Sequence, residues 1–325
     1  MIVSRAAGKT DPGRKRRRNE DSYVCDPPLF AVADGMGGAQ AGEVASELAA
    51  GALRERDGIG DGERSVVELI QEANRRVWQR ANEDAAASGM GTTTTVALVE
   101  ASRVVFGHVG DSRAYLLREG ELIQLTEDHS LVAELVRRGE LSPQEAETHP
   151  QRSVITRALG TDPDVDVDTF AVEAEPQDLF LICSDGLSSM VADETVRELL
   201  ERHRGDLDGA AKALVAAANR SGGEDNITVV LFEVAAGDEP AADTTQMAAV
   251  APPEQPEPLH DEDEDTLTGI RAPTAVDTMV VPPEEAARLA AATRRPSLAR
   301  RMLVLLLIVT LVLVIAALVL WGLAR

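Results

Sequence analysis

An α+β fold built on antiparallel sheets is the class that the sequence predicts for residues 1–235. Several strand-like segments follow one another through tight turns such as Arg118-Glu119-Gly120. Consecutive strands joined so closely must run antiparallel, which excludes a doubly wound parallel sheet. Other segments carry the helical repeat of 3.6 residues. The chain has 325 residues, of which 44% are hydrophobic, and this is enough for a sizeable core.

The predicted strands are short apolar or alternating runs bounded by turn-forming residues. In chain order they cover residues 29–33, 93–99, 104–109, 114–118, 122–125, 165–172, 179–183 and 227–234. Within DVDVD, residues 164–168, the alternation predicts an edge strand whose acids point outward.

The predicted helices follow from apolar residues that recur at i, i+3 and i+4. The clearest case is residues 64–87, where the apolar stripe consists of Val66, Leu69, Ile70, Ala73 and Val77. The remaining predicted helices cover residues 42–56, 131–138, 193–204 and 207–219.

The composition changes after residue 235. Residues 236–293 contain half of the 16 prolines and have thirteen acids against two arginines, including DEDED at 261–265. Such a segment cannot bury enough apolar surface to fold, and its like charges extend it. We therefore expect residues 236–301 to form a disordered acidic tether that ends in a basic juxtamembrane stretch.

A single transmembrane helix is predicted at residues 302–322. The run from Met302 to Trp321 is uncharged and has the length of about 20 residues that spans a hydrocarbon core. Arginines crowd its N-terminal side, which by the positive-inside rule places the preceding domain in the cytoplasm. The expected location is the inner membrane, with one span and an extracytoplasmic tail at 323–325.

The charge and the cysteines exclude other classes. A formal net charge of -23 argues against a general nucleic-acid binder, because phosphate backbones are held by clustered Lys and Arg. Cys25 and Cys183 lie next to apolar residues without CxxC or metal-finger spacing. Both are therefore predicted to be buried, reduced and structural.

Asp34 stands in VADGMGG, where an apolar strand runs into a carboxylate and a glycine-rich loop. Three explanations compete: a turn, a glycine loop that cradles phosphate, and a metal site. The pattern recurs at Asp111 in VFGHVGDSR and Asp185 in LFLICSDGL, while Asp225 precedes a strand in GGEDNITVVLFEV. Strand ends of a packed domain converge, and carboxylates there repel one another unless cations neutralise them. The recurrence favours the metal site.

The ligand chemistry points to hard divalent cations. All candidate ligands are oxygens, with no His or Cys at ligand spacing, which favours Mg²⁺ or Mn²⁺ over Zn²⁺ or Cu²⁺. Two such ions about 3.5–4 Å apart could share a water, lower its pKa and hold a phosphoryl group for in-line attack. Gly35, Gly37 and Gly38 would let backbone carbonyls approach an ion closely.

Eight motifs occur along residues 1–235. In chain order they are GRKRRRNED, VADGMGG, GTTTTV, VGDSRAYL, LTEDHS, ITRALG, LICSDGL and EDNITVVL. Together they closely resemble the metal-dependent Ser/Thr protein phosphatases of type 2C in their bacterial form. The resemblance implies a four-layer α/β/β/α sandwich, in which two antiparallel sheets lie between layers of helices.

The resemblance also implies the metal ligands. Asp34 would bridge two Mn or Mg ions, and Gly35 would offer its carbonyl oxygen to one of them. Asp185 and Asp225 would hold the other ion. Asp111 matches the residue that, with Asp185, binds a third ion in bacterial members.

The substrate-side residues are implied in the same way. Arg16, the arginine of the family's R-x-x-N-E-D motif, would bind the substrate phosphate and act with Asp34 in catalysis. Glu20 and Asp21 would order metal-bound waters.

One departure from the family concerns the proton donor. Animal members carry a His after the Asp-Gly, a candidate general acid, whereas this sequence has Met36, whose thioether cannot donate a proton. No general acid is therefore assigned. Residues 130–152 resemble the family's mobile flap and contain Glu145 and His149. His149 is the weaker alternative for a donor, because a lone loop histidine is more often solvated than catalytic.

The expected function is Mg- or Mn-dependent hydrolysis of phosphoserine and phosphothreonine in proteins by a metal-bridging water. The implied partners are phosphorylated proteins and membrane Ser/Thr kinases, whose signalling the enzyme would reverse, and the catalytic domain is expected to be monomeric. One alternative is a catalytically silent module that binds phosphoproteins or kinases, which a lost metal ligand would indicate. Another is a metal-dependent hydrolase of small phosphoesters, which a comparison of substrates would separate.

Overall fold

The computed structural model describes residues 1–37, 41–55, 60, 62–236 and 279–280. Gly38, most of the predicted tether and the predicted membrane span lie outside these residues. Within the described part of the chain, no helix is both long enough and apolar enough to cross a bilayer. The span at 302–322 therefore stays a prediction.

Two antiparallel sheets form the body of the molecule. One has the strand order β1-β12-β11-β7-β8 and the other β10-β6-β5-β3-β2, with β4 beside β3. All of these neighbours pair antiparallel, which confirms the predicted class. A separate pair, β9 and β13, is parallel. The strands are β1 (Ile2–Asp11), β2 (Asp21–Asp26), β3 (Leu29–Met36), β4 (Gly91–Thr92), β5 (Thr94–Val99), β6 (Arg103–Val109), β7 (Arg113–Arg118), β8 (Glu121–Gln124), β9 (Val154–Ile155), β10 (Asp168–Glu173), β11 (Leu179–Cys183), β12 (Ile227–Ala235) and β13 (Met279–Val280).

The helices confirm the periodic segments with small changes at their ends. The longest, α2, ends at Glu83 because Asp84 turns extended, and a short 3-10 turn at Ala85–Ala87 follows. A short helix that the sequence analysis missed starts at Pro143, where Ser142 and Glu145 form a capping box. The helices are α1 (Ala41–Arg54), α2 (Glu63–Glu83), α3 (Leu131–Arg137), α4 (Pro143–Glu147), α5 (Asp185–Ser188), α6 (Asp193–Arg202) and α7 (Leu207–Arg220).

Three apolar clusters hold the layers together. Helices α1 and α2 bury their apolar faces against β3, β5 and β6, for example through Val66 and Ile70. Helices α6 and α7 do the same against β7, β11 and β12, for example through Leu200 and Leu214. Between the two sheets, Phe residues pack with aliphatic side chains. The packing order is thus helices, sheet, sheet, helices.

Several sequence-based expectations were wrong in detail. The strands β1 and β2 were missed because they lie at sheet edges and keep much of their surface in contact with solvent. The predicted strand at 165–172 begins only at Asp168, so residues 164–167 of the predicted DVDVD edge strand are not in a strand, although β10 itself lies at a sheet edge. Cys183 is buried, but Cys25 is only half-buried; both are free thiols.

Candidate metal centre

Aspartates from both sheets meet in one cluster, which consists of Asp34, Asp111, Asp185 and Asp225. Asp34 on β3 and Asp111 after β6 come from one sheet, while Asp185 after β11 and Asp225 before β12 come from the other. Their carboxyls lie close enough for the charges of Asp111, Asp185 and Asp225 to act on Asp34. The predicted convergence of these acids is therefore observed, although their role as ligands stays a prediction.

Asp34 differs from the expectation because it does not end its strand. The strand β3 continues to Met36, since β4 pairs Gly35 with Thr92 and Met36 with Gly91. The backbone of Asp34 is also fixed by the segment that contains β4, because the Asp34 carbonyl oxygen accepts hydrogen bonds from Thr93 N (2.9 Å) and Thr92 Oγ1 (2.8 Å). The carboxylate is thus presented from a rigid strand rather than from a loop.

Burial and like charges disfavour ionisation of Asp34, Asp111 and Asp185 and of the neighbouring Asp21. Surrounding protein desolvates the carboxyls of Asp34 and Asp185 and raises their pKa well above the usual range, and neighbouring acids raise it further. Burial raises the pKa of Asp111 to about 7, with a smaller contribution from Asp128. Burial likewise raises the pKa of Asp21 to about 6. These carboxylates need a proton or a cation nearby to be stable.

Three carboxylate oxygens in the cluster have unmet hydrogen-bonding capacity. The Oδ1 atoms of Asp21, Asp111 and Asp185 are buried and receive no hydrogen bond from a donor among the described residues. The Asp34 carboxyl lies within hydrogen-bonding reach of Asp21 and Asp185, so acids face acids. Buried oxygens without donors are costly, and hard divalent cations prefer such ligands. The residues present therefore fit a Mg²⁺ or Mn²⁺ centre.

The carboxylates are not yet arranged at ligand positions. In the part of the chain that the structure describes, no group of three or more His, Cys, Asp or Glu side chains could hold an ion as it stands. Asp225 Oδ2 is paired with Arg16 Nη2 at 2.8 Å, and Asp225 Oδ1 accepts from Asn226 N at 2.8 Å. The ion pair brings the guanidinium of Arg16 to the edge of the cluster.

Asp21 is held from outside the cluster by two hydroxyl groups. Ser184 Oγ (2.9 Å) and Thr228 Oγ1 (2.6 Å) both donate to Asp21 Oδ2. The adjacent Glu20 is fixed through its backbone, whose N–H donates to Asn226 Oδ1 at 2.7 Å. Sequence analysis missed Ser184, Asn226 and Thr228 as supporting residues. Their signal was their position inside the SDG and EDNIT motifs, beside the predicted acids.

Gly35 is needed for close packing rather than for flexibility. A Cβ atom at this position would collide with the carbonyl oxygens of Gly42 and Glu20. The Gly35 N–H donates to the Glu20 carbonyl oxygen at 3.1 Å, which ties β3 to the segment before β2. Gly37 has a φ of +144°, which side chains rarely adopt. Gly35 thus has a packing requirement of its own, while the expectation that these glycines let carbonyl oxygens approach an ion stays a prediction.

Met36 and the flap, defined as residues 130–152, do not present a proton donor to the cluster through any described contact. Met36 is buried against Ile155 and Ala158. Glu145 caps α4 with Ser142. His149 Nδ1 accepts from its neighbour Gln151 N at 3.2 Å, so its ring is used locally.

His129 is a positioning residue that sequence analysis did not single out. Its backbone N–H donates to the Gly110 carbonyl oxygen (2.7 Å), and its Nδ1 accepts from Gly110 N (3.0 Å). The Nε2 atom faces Asp168 Oδ2 at 3.1 Å. The residue therefore clamps the backbone beside Asp111 to the start of the flap, and the LTEDHS motif was its signal.

Comparisons with known proteins agree with this geometry. A family model described as protein phosphatase 2C matches residues 17–227. The serine/threonine phosphatase stp of Listeria welshimeri is 44% identical over 237 residues, which cover 69% of this chain and 94% of that protein. The matched region contains all four aspartates of the cluster.

Solved structures are similar over the same region. A crystal structure of the Mycobacterium tuberculosis serine/threonine phosphatase PstP/Ppp aligns with a TM-score of 0.69 at 41% identity, covering 72% of this chain and all of that one (100%). A second structure, the PstP catalytic domain in complex with 2 manganese ions, aligns with a TM-score of 0.67 at 39% identity over 72% and 100% of the two chains.

Proposed function

The chain belongs to the protein phosphatase 2C family, and we propose that it hydrolyses phosphoserine and phosphothreonine in proteins with two bound Mn²⁺ or Mg²⁺ ions. The observation that carries this proposal is the shared cluster of Asp34, Asp111, Asp185 and Asp225, with buried oxygens on Asp111 and Asp185 that receive no hydrogen bond from the described residues. The manganese complex of PstP, a relative with the same fold, supports the choice of ion.

Five positions would hold the metal. Asp34 would bridge the two ions, with the Gly35 carbonyl on one and Asp185 and Asp225 on the other, while Asp111 and Asp185 would take a third ion. When bound, the ions would neutralise the carboxylates, lower the pKa of the attacking water and stabilise charge on the phosphoryl oxygens.

Arg16 would supply the phosphate contact. Its guanidinium now pairs with Asp225, and both side chains are partly accessible, at 23% and 24% of their surface. A guanidinium can offer paired N–H donors to a phosphoryl group, and Arg16 would do so beside the ions that Asp225 would help to hold. Asp21 would act as an acceptor that orients water, because Ser184 and Thr228 lock one of its oxygens and leave the other toward the cluster.

We further propose that residues 302–322 anchor the enzyme in the inner membrane and that residues 236–301 connect it to the domain. The support is the uncharged run after Arg301 and the arginines before it. Confinement to one surface would raise the effective concentration of phosphoproteins and of the membrane kinases that the enzyme opposes. A chain ending at residue 301 should leave the membrane fraction, whereas the full chain should resist a carbonate wash.

The test of the activity is Mn²⁺-dependent phosphate release from phosphothreonine peptides by the full chain. Arg16→Lys should raise KM about tenfold, since an ammonium cannot make the paired contact. Phosphorylated metabolites serve as the control substrates. Faster turnover of metabolites would favour a small-phosphoester hydrolase, and no release from either class would favour the silent binding module.

A further inference from the structure

The short strand β9 has a neighbour on each of its two edges. On one side, Ser130 bridges Ile155 in antiparallel fashion, and Thr156 N donates to the His129 carbonyl oxygen at 2.8 Å. On the other side, β13 pairs with it in parallel, with Met279 opposite Val154 and Val280 opposite Ile155. Residues from the predicted tether therefore add a strand to the catalytic domain at the base of the flap.

The position of β9 links it to the carboxylate cluster. Ile155 and Ala158 pack on Met36, which lies two residues after Asp34 on β3. Leu159 exchanges backbone hydrogen bonds with Thr92 (2.9 and 3.1 Å), and the Thr92 hydroxyl donates to the Asp34 carbonyl oxygen. A peptide bound along β9 thus pairs with a strand whose Ile155 packs on Met36 of β3.

We propose that the outer edge of β9 is a docking edge for an extended peptide, and that its occupant in this chain is the segment around Met279–Val280, which restricts access of phosphopeptides. The inference rests on the proposed phosphatase function for its consequence, but not for the docking itself. Strand addition of this kind uses main-chain hydrogen bonds and so tolerates many sequences.

The sequence around β13 suits such an addition. Residues 274–281 read TAVDTMVV and are rich in β-branched Thr and Val, which favour strands. Prolines at 273 and 282 bound the segment, and because proline has no N–H, they limit the pairing to the residues between them.

The occupancy of β9 by β13 depends on the covalent link between β13 and the domain. Two paired residues bind weakly as a free peptide, but residues 236–278 connect them covalently to the domain. Extended, this stretch could reach on the order of 100 Å, so it can bring β13 to the flap. Linked segments reach effective concentrations in the ~mM range, which is enough for partial and reversible occupancy. A substrate peptide at high concentration would displace the segment.

The consequence for the enzyme is a higher KM for peptides rather than a lower kcat. Docking occupies the edge of β9 opposite Ser130 and holds β9 between Ser130 and β13, at the base of the flap. It leaves the carboxylates themselves unchanged. A small substrate such as p-nitrophenyl phosphate needs no strand edge and should be hydrolysed equally in both states.

The test compares three versions of the full chain in detergent: the parent, Met279→Pro with Val280→Pro, and the matched control Ala249→Pro with Val250→Pro. The paired prolines remove both N–H groups from β13 and leave residues 1–236 unchanged. Amide hydrogen exchange at Ile155 reports docking independently of activity, because Val154 N donates to the Gln151 carbonyl oxygen at 3.2 Å and Thr156 N to that of His129 at 2.8 Å. KM and kcat are measured with a phosphothreonine peptide and with p-nitrophenyl phosphate, both with Mn²⁺.

We expect the 279/280 variant to lose exchange protection at β9 and to show a KM for the peptide that is lower by roughly two- to tenfold, with kcat and the small substrate unaffected. The control should match the parent. Equal β9 protection in all three chains overturns the docking, and lost protection with an unchanged peptide KM overturns the restriction. If no version releases phosphate, the proposed function fails, while hydrogen exchange still decides whether β13 docks.

Discussion

The interior of the sandwich and its acidic rim, which is the cluster of Asp34, Asp111, Asp185 and Asp225, are built from the same strands. The interior side chains stabilise the fold, whereas the acids of the rim destabilise it. Four strands each carry a phenylalanine between the sheets and an aspartate of the acidic rim in or next to the same strand: Phe30 and Asp34 within β3, Phe106 and Asp111 at β6, Phe180 and Asp185 at β11, and Phe232 and Asp225 at β12. The phenylalanines are fully buried. In each of these strands the buried phenylalanine stabilises the fold, whereas the aspartate is a carboxylate whose burial destabilises it.

The geometry of the interior shows how the rim is kept in place. The rings of Phe30 and Phe232, from different sheets, stack with centroids 4.1 Å apart, and Phe180 stacks on Phe232 at 5.0 Å. These contacts fix the two sheets relative to each other, so acids from both sheets stay together despite their repulsion. The packing of the phenylalanines thus offsets the repulsion between the aspartates at the rim. Functional sites are commonly destabilising in this way.

The largest effect should come from Asp34→Asn. Losing the bridging carboxylate should lower Mn²⁺-dependent turnover by about 10³-fold, because metal stabilisation of the transition state is worth several kcal/mol. The same change should raise the urea midpoint of the metal-free protein at neutral pH, since the buried Asp34 carboxyl must take up a proton or stay ionised beside Asp111 and Asp185, and an amide needs to do neither. Asp164→Asn, at an exposed position, is the control. Unchanged turnover, or a lower urea midpoint, would contradict the contrast between rim and interior.

The opposite response should come from Phe232→Ala. Truncating this fully buried ring should lower the free energy of unfolding by about 3–5 kcal/mol, through lost burial and the cavity left behind. Turnover per folded molecule should persist at low temperature, because the acids are intact. Urea unfolding measures the free energy of unfolding, and kcat corrected for the folded fraction measures turnover per folded molecule. An inactive variant of normal stability would show that the interior does more than hold the sheets.

The pH dependence of stability should show whether protons or cations neutralise the carboxylates at the rim. The pKa of Asp21 is raised to about 6 and that of Asp111 to about 7, so the fold favours their protonated forms. Their contribution to stability is present below the unfolded pKa of about 4 and is lost as the pH rises through 6 to 7. Because Mn²⁺ competes with these protons, the increase in Tm caused by Mn²⁺ should grow from about pH 5.5 to about pH 7.5.

The difference with and without Mn²⁺ is the quantity to measure in that experiment. Burial lowers the pKa of His108 to about 3, which favours the fold as the pH rises and opposes the effect of the acids. This contribution is the same in both conditions and cancels. A Tm increase that is flat or falls with pH would argue that the carboxylates do not exchange protons for metal.

The smallest effect should come from Met36→Leu. Met36 packs on Ile155 and Ala158 between rim and flap, so a swap of similar volume should cost less than about 1.5 kcal/mol and leave turnover within roughly twofold. Thermal unfolding and kcat are the readouts. A large loss of kcat at unchanged stability would mean that the thioether position acts on the reaction and not only in packing.

Much of this contrast could be predicted from local sequence. The apolar runs that end in Asp111 and Asp185 are strands whose side chains are buried on both faces, so a continuous hydrophobic pattern identifies them. The four aspartates were found because each follows or precedes such a run. Antiparallel pairing followed from short turns such as Arg118-Glu119-Gly120.

What could not be predicted depends on contacts between distant parts of the chain. Asp21 is buried because Ser184 and Thr228, more than 160 residues away, donate to it. The edge strand β1 forms because β12 pairs along it from Ile2 to Asp11. Val154 and Met279 pair across a shorter but still distant separation of 125 residues. None of these has a local signature, since propensity in strands is decided largely by the partner strand.

The most direct test of the metal centre is the number of Mn²⁺ ions bound by the full chain. Equilibrium dialysis at pH 7.5, with metal content measured by mass spectrometry, should give about two to three ions for the parent chain, the third being the ion assigned to Asp111 and Asp185. The Asp34→Asn variant should bind fewer, because two of these ions share that carboxylate. Equal binding by the two proteins, or no binding by the parent, would contradict the assignment of the buried aspartates as a metal centre.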